Sequence, residues 1–130
     1  MKRAYKLRAY PTQPQEGRAV RLLADHCDLY NAALQERREA WRMRKVSVGY
    51  GDQSAQLREI READPDGQGR HSFTAQQQTL RRLDATFRAF FKRVKATEKD
   101  KQRRAKRQAN KDGKATKQAR KVGYPRFKPY

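Results

Sequence analysis

Two stretches of this 130-residue chain set cations beside flat rings: Tyr5-Lys6-Leu7-Arg8-Ala9-Tyr10 near the start and Tyr124-Pro125-Arg126-Phe127-Lys128 near the end. A cation next to an aromatic ring serves phosphate contact and base stacking together, the chemistry of a nucleic-acid surface. A second kind of chemistry is base reading, for which Arg, Lys, Asn and Gln carry matching donors and acceptors. Gln76-Gln77-Gln78 falls in the first turns of a strongly patterned helix, where free amides favour phosphate. Tyr50, between Gly49 and Gly51, is a comparable candidate. Each has a plainer reading. Glutamine is a good helix former, and Tyr50 is equally a turn residue covering the edge of a core.

Residues for covalent or metal chemistry do not assemble. The acids neighbour arginines, Glu36 with Arg37, Glu59 with Arg58 and Glu62 with Arg61, which reads as helix-surface ion pairing and not as a metal-binding carboxylate cluster. There is no Gly-rich phosphate loop with its lysine and no nucleophile elbow, and His26 and His71 stand far apart in the chain. The lone Cys27 forms no internal disulfide and, without a Cys-x-x-Cys pair, no zinc site; a half-buried core thiol is its expected role. We therefore expect no catalytic residues, no bound metal and no enzymatic activity in this chain.

Charge sharpens the partner. Lys and Arg number 33 against 14 Asp and Glu, a formal net charge of +19. From Lys92 to Lys128 there are 16 cations against three acids. A one-signed block of this kind repels itself unless an anion neutralises it, which favours nucleic acid, with an anionic membrane surface as the weaker alternative. No apolar run approaches the roughly 20 residues of a spanning helix, and no signal peptide is evident, so an intracellular protein is expected. A chain of this length is of the order of one domain.

The elements that must position these residues read as a helical block between extended ends. Tyr5, Leu7 and Ala9 alternate with Lys6, Arg8 and Tyr10, the pattern of a strand covered on one side. Pro125 and Pro129 keep the far end extended, so the two ends can share a small sheet. Thr12-Gln13-Pro14-Gln15 opens a helix with a capping box. Leu23, Cys27, Tyr30, Leu34 and Trp41 then form a core stripe, on one bent helix or on two. Gly49-Tyr50-Gly51 breaks the pattern, Asp52 is placed to cap the next helix, and Ala55, Leu57, Ile60 and Ala63 are its apolar positions. Residues 64–69 read as a turn-rich loop. Leu80, Leu83, Phe87, Phe90 and Val94, widened by Phe91, mark the strongest helix. Beyond Val94 apolar residues nearly vanish until Val122, predicting a mobile stretch or a frayed, exposed helix.

Four segments in this order resemble one family. Tyr5-Lys6-Leu7-Arg8-Ala9-Tyr10-Pro11-Thr12 with Gln15 is similar to the opening of TnpB-type (OrfB) proteins of insertion sequences. Leu29-Tyr30-Asn31-Ala32-Ala33-Leu34 resembles their Tyr-Asn-x-x-Leu segment. The stretch from Gln77 to Lys95, with Leu83, Phe87, Phe90 and Phe91, resembles their Leu-x-x-Ala-Phe-x-x-Phe-Phe-Arg helix, and Gly123-Tyr124-Pro125-Arg126-Phe127-Lys128 their Gly-x-Pro-Arg-Phe-Lys signature.

The resemblance implies a transposon-encoded, RNA-guided DNA endonuclease, of a family formerly classed with transposases and credited with an N-terminal helix-turn-helix domain. The implied fold is mainly α, a helical recognition lobe inserted between short β-strands of an incomplete wedge barrel. Residues 1–11 would be the first wedge strand, 12–95 the recognition lobe, 96–122 a basic flexible insert and 123–130 the returning wedge segment. The family's nuclease domain, with its divalent metal and zinc, would follow this chain, leaving no cofactor here. By resemblance Tyr50 and Gln77 would contact a target-flanking DNA motif, while Lys2, Arg3, Lys6, Arg8, Lys92, Arg93, Arg126 and Lys128 would grip the backbone of guide RNA or DNA. The expected location is a prokaryotic cytoplasm, nucleoid-associated when bound, with neither a membrane nor a small-molecule substrate as partner. A stand-alone basic DNA-binding regulator or transposase accessory protein, and a non-specific basic RNA-binding protein, remain the alternatives.

Overall fold

The structure, a computed structural model, describes residues 3–109 and 122–129. Lys2 and residues 110–121 of the expected basic insert lie outside the described residues. Among the described residues three α-helices follow one another: α1 (Gln13–Arg44), α2 (Tyr50–Ala63) and α3 (Phe73–Ala109), with a 3-10 turn at Gln68–Arg70 before the last.

Local chemistry sets these boundaries. The Thr12 amide donates to Gln15 Oε1 at 2.9 Å, and Pro14 occupies the first turn, where its missing N–H costs nothing. From there α1 runs unbroken, which settles the open choice between one helix and two. It ends at Lys45, whose left-handed backbone (φ 56, ψ 27) turns its own N–H to Trp41 O and that of Val46 to Ala40 O. In α2 the cap is Gly49, and Asp52 acts from inside the first turn, its Oδ2 accepting from the Gly49 amide at 2.8 Å. Asp64 shapes the loop after α2 by accepting from the amides of Gly67 and Gln68.

The helices pack up, down, up. Asp25 and His26 meet His71 and Thr79, while farther along Arg37 meets Asp84, so α1 and α3 run in the same direction. Arg81 over Tyr50, Gln77 against Ser54 and Arg61 over Phe73 make α2 antiparallel to α3. Leu29, Tyr30, Ala33 and Leu34 of α1, Leu57 of α2, and Leu80, Leu83 and Phe87 of α3 form the core. Leu34, Leu57 and Leu83 are fully enclosed; burying each such side chain stabilises the fold by about 1.5–3 kcal/mol.

The expected α1 stripe is only partly a core. Leu23 and Trp41 are 65% and 57% exposed. Because α3 begins level with Asp25, the first turns of α1 overhang with nothing to pack on, and 13–22 are exposed throughout. At the other end α3 continues to Ala109, and its residues 98–106 are exposed. On α2 the expected Ala55 and Ala63 face solvent, and Gln53, 2% exposed, takes an inward position beside Leu57.

The mainly α part of the expected fold is present, but the short β-strands of a wedge around it are not seen among the described residues. Residues 3–12 and 122–129 carry no regular secondary structure. On the N-terminal arm Tyr5, Leu7 and Tyr10 are 78%, 90% and 80% exposed. A strand needs a partner for its backbone groups, and the C-terminal segment has found other ones, since side chains of α1 and α3 occupy it.

Candidate nucleic-acid interface

The C-terminal segment lies along the seam between α1 and α3. Asn31 clamps it: its Nδ2 donates to Lys128 O at 2.9 Å while its Oδ1 accepts from Lys128 N at 2.7 Å, the pairing a neighbouring strand would otherwise supply. Tyr124 sets its ring edge-on against Phe87 and Phe90, with centroids 5.6 and 5.2 Å apart. Burial pushes the Tyr124 hydroxyl pKa up, partly opposed by the charges of Arg38 and Arg37. Arg38 spans both segment rings, 5.8 Å from the Tyr124 centroid and 5.2 Å from that of Phe127. Residues 27, 31 and 38 of α1 face this segment, whereas 33, 36 and 37 face α2. At about 100° per residue these are opposite sides of one helix.

This docking arranges the cations named from sequence. Arg93 and Arg126 line one shallow cleft with Thr97 and Val122 at the α3 end, and Lys92 is exposed beside it. Lys128 lies near the α1 end of the seam, its ammonium 5.6 Å from the Tyr30 ring. Arg3, Lys6 and Arg8 extend on the exposed arm beyond the start of α1, Arg8 over Tyr10 at 5.5 Å. Residues 122–129, which run from the level of Thr97 to that of Cys27, whose Sγ approaches Pro129 O, cover at most about 25 Å at full extension. Sequence reasoning misses Arg38 and Asn31. Asn31 belongs to the Tyr-Asn pair, but nothing in its spacing reveals a backbone clamp; Arg38 looks like any surface cation.

The base-reading candidates sit elsewhere, together on the face between α2 and α3. Tyr50 is half-buried under the Arg81 guanidinium at 5.3 Å, and Gln77 is half-buried with its Nε2 toward Ser54 Oγ at 3.4 Å. Their neighbour Gln76 is fully buried, donating to Gln68 and accepting from Arg61. Gln76 therefore holds the α2–α3 turn in place.

Ion pairing also departs from sequence neighbours. Arg37, 7% exposed, donates to Gln53 Oε1 and bridges to Asp84 at 3.2 Å, while Glu36 accepts from Gln53 and Gln56. Arg61 caps the carbonyls of Gly69 and His71. Of the neighbouring pairs only Glu62 engages an arginine in the helix-surface manner, through Arg58 one turn away. The two histidines are brought together: their ring centroids are 5.5 Å apart, with His71 on Asp25 at 2.6 Å and His26 on Thr79 at 2.8 Å. Burial, then the neighbouring His71, lower the His26 pKa against a smaller raising effect of Asp25. Among the described residues no group of His, Cys, Asp or Glu could hold a metal ion, and no helix is long and apolar enough to cross a membrane.

Residues 1–45 match the OrfB IS605 helix-turn-helix domain. In this chain the matched stretch comprises the exposed arm and α1, and the first turn between helices follows it at 45–49. No curated protein and no solved structure matches the chain.

Proposed function

We propose, from the premise that residues 1–45 are the helix-turn-helix domain of an OrfB-type, transposase-related protein, that this chain binds nucleic acid along the α1–α3 seam. The observation that carries the reading is the docked C-terminal segment. It sets cations and rings in line from the basic end of α3 to the level of Cys27, over about 25 Å or less, with the basic arm lying farther out beyond the start of α1. Phosphate contacts position the polymer without reading it. Base pairing with a guide RNA would then supply sequence, as in a TnpB-like effector, with DNA bound beside it. Tyr50 and Gln77 contribute to the α2–α3 packing in this reading, since their rings and amides already have partners. The chain holds the nucleic acid and does not cut it; metal-dependent cleavage by the purified chain would refute that part.

The test is the salt dependence of binding to labelled duplex DNA and single-stranded RNA, followed by anisotropy. Seven described candidates, Arg3, Lys6, Arg8, Lys92, Arg93, Arg126 and Lys128, give an expected log–log slope of about −6 on duplex if all engage. Replacing Arg93 and Arg126 with alanine should reduce it by about two. A slope unchanged by that pair would remove the seam from the interface. Nucleic acid that copurifies with the chain, once sequenced, separates the classes: one discrete element-end RNA supports the guided reading, a DNA site a regulator, and bulk ribosomal RNA a non-specific binder.

A further inference from the structure

A cavity of about 430 Å³ opens between the end of α1, the 46–49 turn, α3 and the docked segment. Its walls include Trp41, Val46, Phe87, Phe90, Phe91 and Tyr124, and Arg37 reaches it from the core side. We propose, resting on the nucleic-acid reading above, that this cavity receives one unstacked base of a single strand.

Three observations carry the assignment. The first is aromatic exposure at the cavity: Trp41 is 57% and Phe91 54% exposed, though both are large rings in a chain with a formed core. Phe91 is braced by Phe87 and Phe90, with centroids 6.2 and 5.2 Å away, so it offers a held surface to stack on. The second is an unmet donor. Arg37 gives Nε to Gln53 and Nη1 to Asp84, but its buried Nη2 has no acceptor among the described residues. The guanidinium lies over the Phe87 ring, 5.1 Å from its centroid, and the carbonyl of a base seated against this wall would supply the missing acceptor. The third is charge: Arg88 lies at the rim, its side chain 75% exposed, and the chain carries +19 overall, which brings phosphate to the entrance. A base in duplex keeps its stack and its pairing, so the cavity selects single strands or frayed ends.

Trp41 is the chain's single tryptophan and stands in this wall, so it reports occupancy directly. The full chain is titrated with a single-stranded thymidine oligomer, an abasic oligomer of the same length and a duplex, reading oligomer anisotropy and Trp41 emission together. Anisotropy should rise with all three, and saturable quenching of Trp41 should appear only with the thymidine strand. Phe91→Ala, an exposed helix position, should weaken the thymidine strand about tenfold and leave the abasic strand unchanged. Quenching by the abasic strand equal to that by thymidine, or equal effects of Phe91→Ala on both, overturns the cavity assignment while leaving seam binding intact. A concentration-dependent blue shift of Trp41 without nucleic acid also overturns it, by seating a second protein copy there. Absence of any anisotropy change instead refutes the nucleic-acid reading itself.

Discussion

Replacing Asn31 with alanine should release the C-terminal segment without unfolding the helices. Asn31 makes two hydrogen bonds to one residue, at 2.9 and 2.7 Å, both at an exposed site. Each is worth about 0.5–1.5 kcal/mol net, and water can replace part of it at an exposed position, so the pair contributes about 1–2 kcal/mol. Opening of the segment should then become roughly 5–30 times more frequent. Core helices should not respond, because the Asn31 side chain bonds to the segment and the enclosed leucines lie on other faces. Amide exchange resolved by residue is the assay: Lys128 loses protection, while amides around Leu34 and Leu83 keep theirs. With the clamp gone, Arg126 and Lys128 lose their register on the seam, and the salt slope of DNA binding should fall by up to about two. If Lys128 exchanges at the same rate in both proteins, the segment is held by its aromatic contacts alone and the clamp argument fails.

Other expectations are more compact. Asp84→Ala leaves the Arg37 guanidinium buried without its anion and should cost about 2–3 kcal/mol in urea unfolding; adding Arg37→Met should recover much of it. The His26 pKa is lowered on folding from its ordinary 6.5, so the unfolded chain takes up its proton first as pH falls. Stability from this group is therefore unaffected above 6.5 and declines below it, and His26→Gln should flatten the pH dependence of the urea midpoint in that range. Lys45 sits at φ 56, where a side chain is strained: Lys45→Gly should be about 1 kcal/mol more stable than Lys45→Ala, since both lose the ammonium over Trp41 but only glycine relaxes the backbone.

Helix positions are largely legible in the sequence because their causes are local. The Thr12-Gln15 box, the break near Gly49 and the turn-rich Asp64-to-Gly69 loop act within a few residues, and the Leu80-Leu83-Phe87 stripe has a clear period. Burial along α1 is less legible, because periodicity marks a face but not how far a partner covers it. Leu23 lies on the expected face and is exposed since α3 starts too late to reach it. The ends mislead for a related reason. Alternation in Tyr5-Lys6-Leu7-Arg8-Ala9 marks what a strand would look like, yet in the tail Lys128 gives its backbone groups to Asn31 and Tyr124 its ring to Phe87 and Phe90. Arg37 illustrates the limit for sites: a cation beside a glutamate on a helix looks solvated, and only the packing of α2 and α3 over it makes it a buried partner of Asp84.

The family match and the folding unit therefore do not coincide. Residues 1–45 contain the arm, exposed from residue 3 onward, and α1, whose buried residues Leu29, Tyr30, Ala33, Leu34 and Arg37 meet α2, α3 and the C-terminal segment. An isolated helix of this length gains little from propensity alone, and burial of its apolar face supplies most of its stability. The matched stretch thus depends on partners that lie outside it. The same dependence joins fold to function. Asn31 and Arg38 stand on the side of α1 opposite the one that packs on α2, and the rigidity of the α1–α3 pair is what lets them hold a short extended segment in one place. A basic tail on a mobile chain would attract phosphate with no register; held against the bundle, its cations acquire fixed spacing, which orienting a nucleic acid requires.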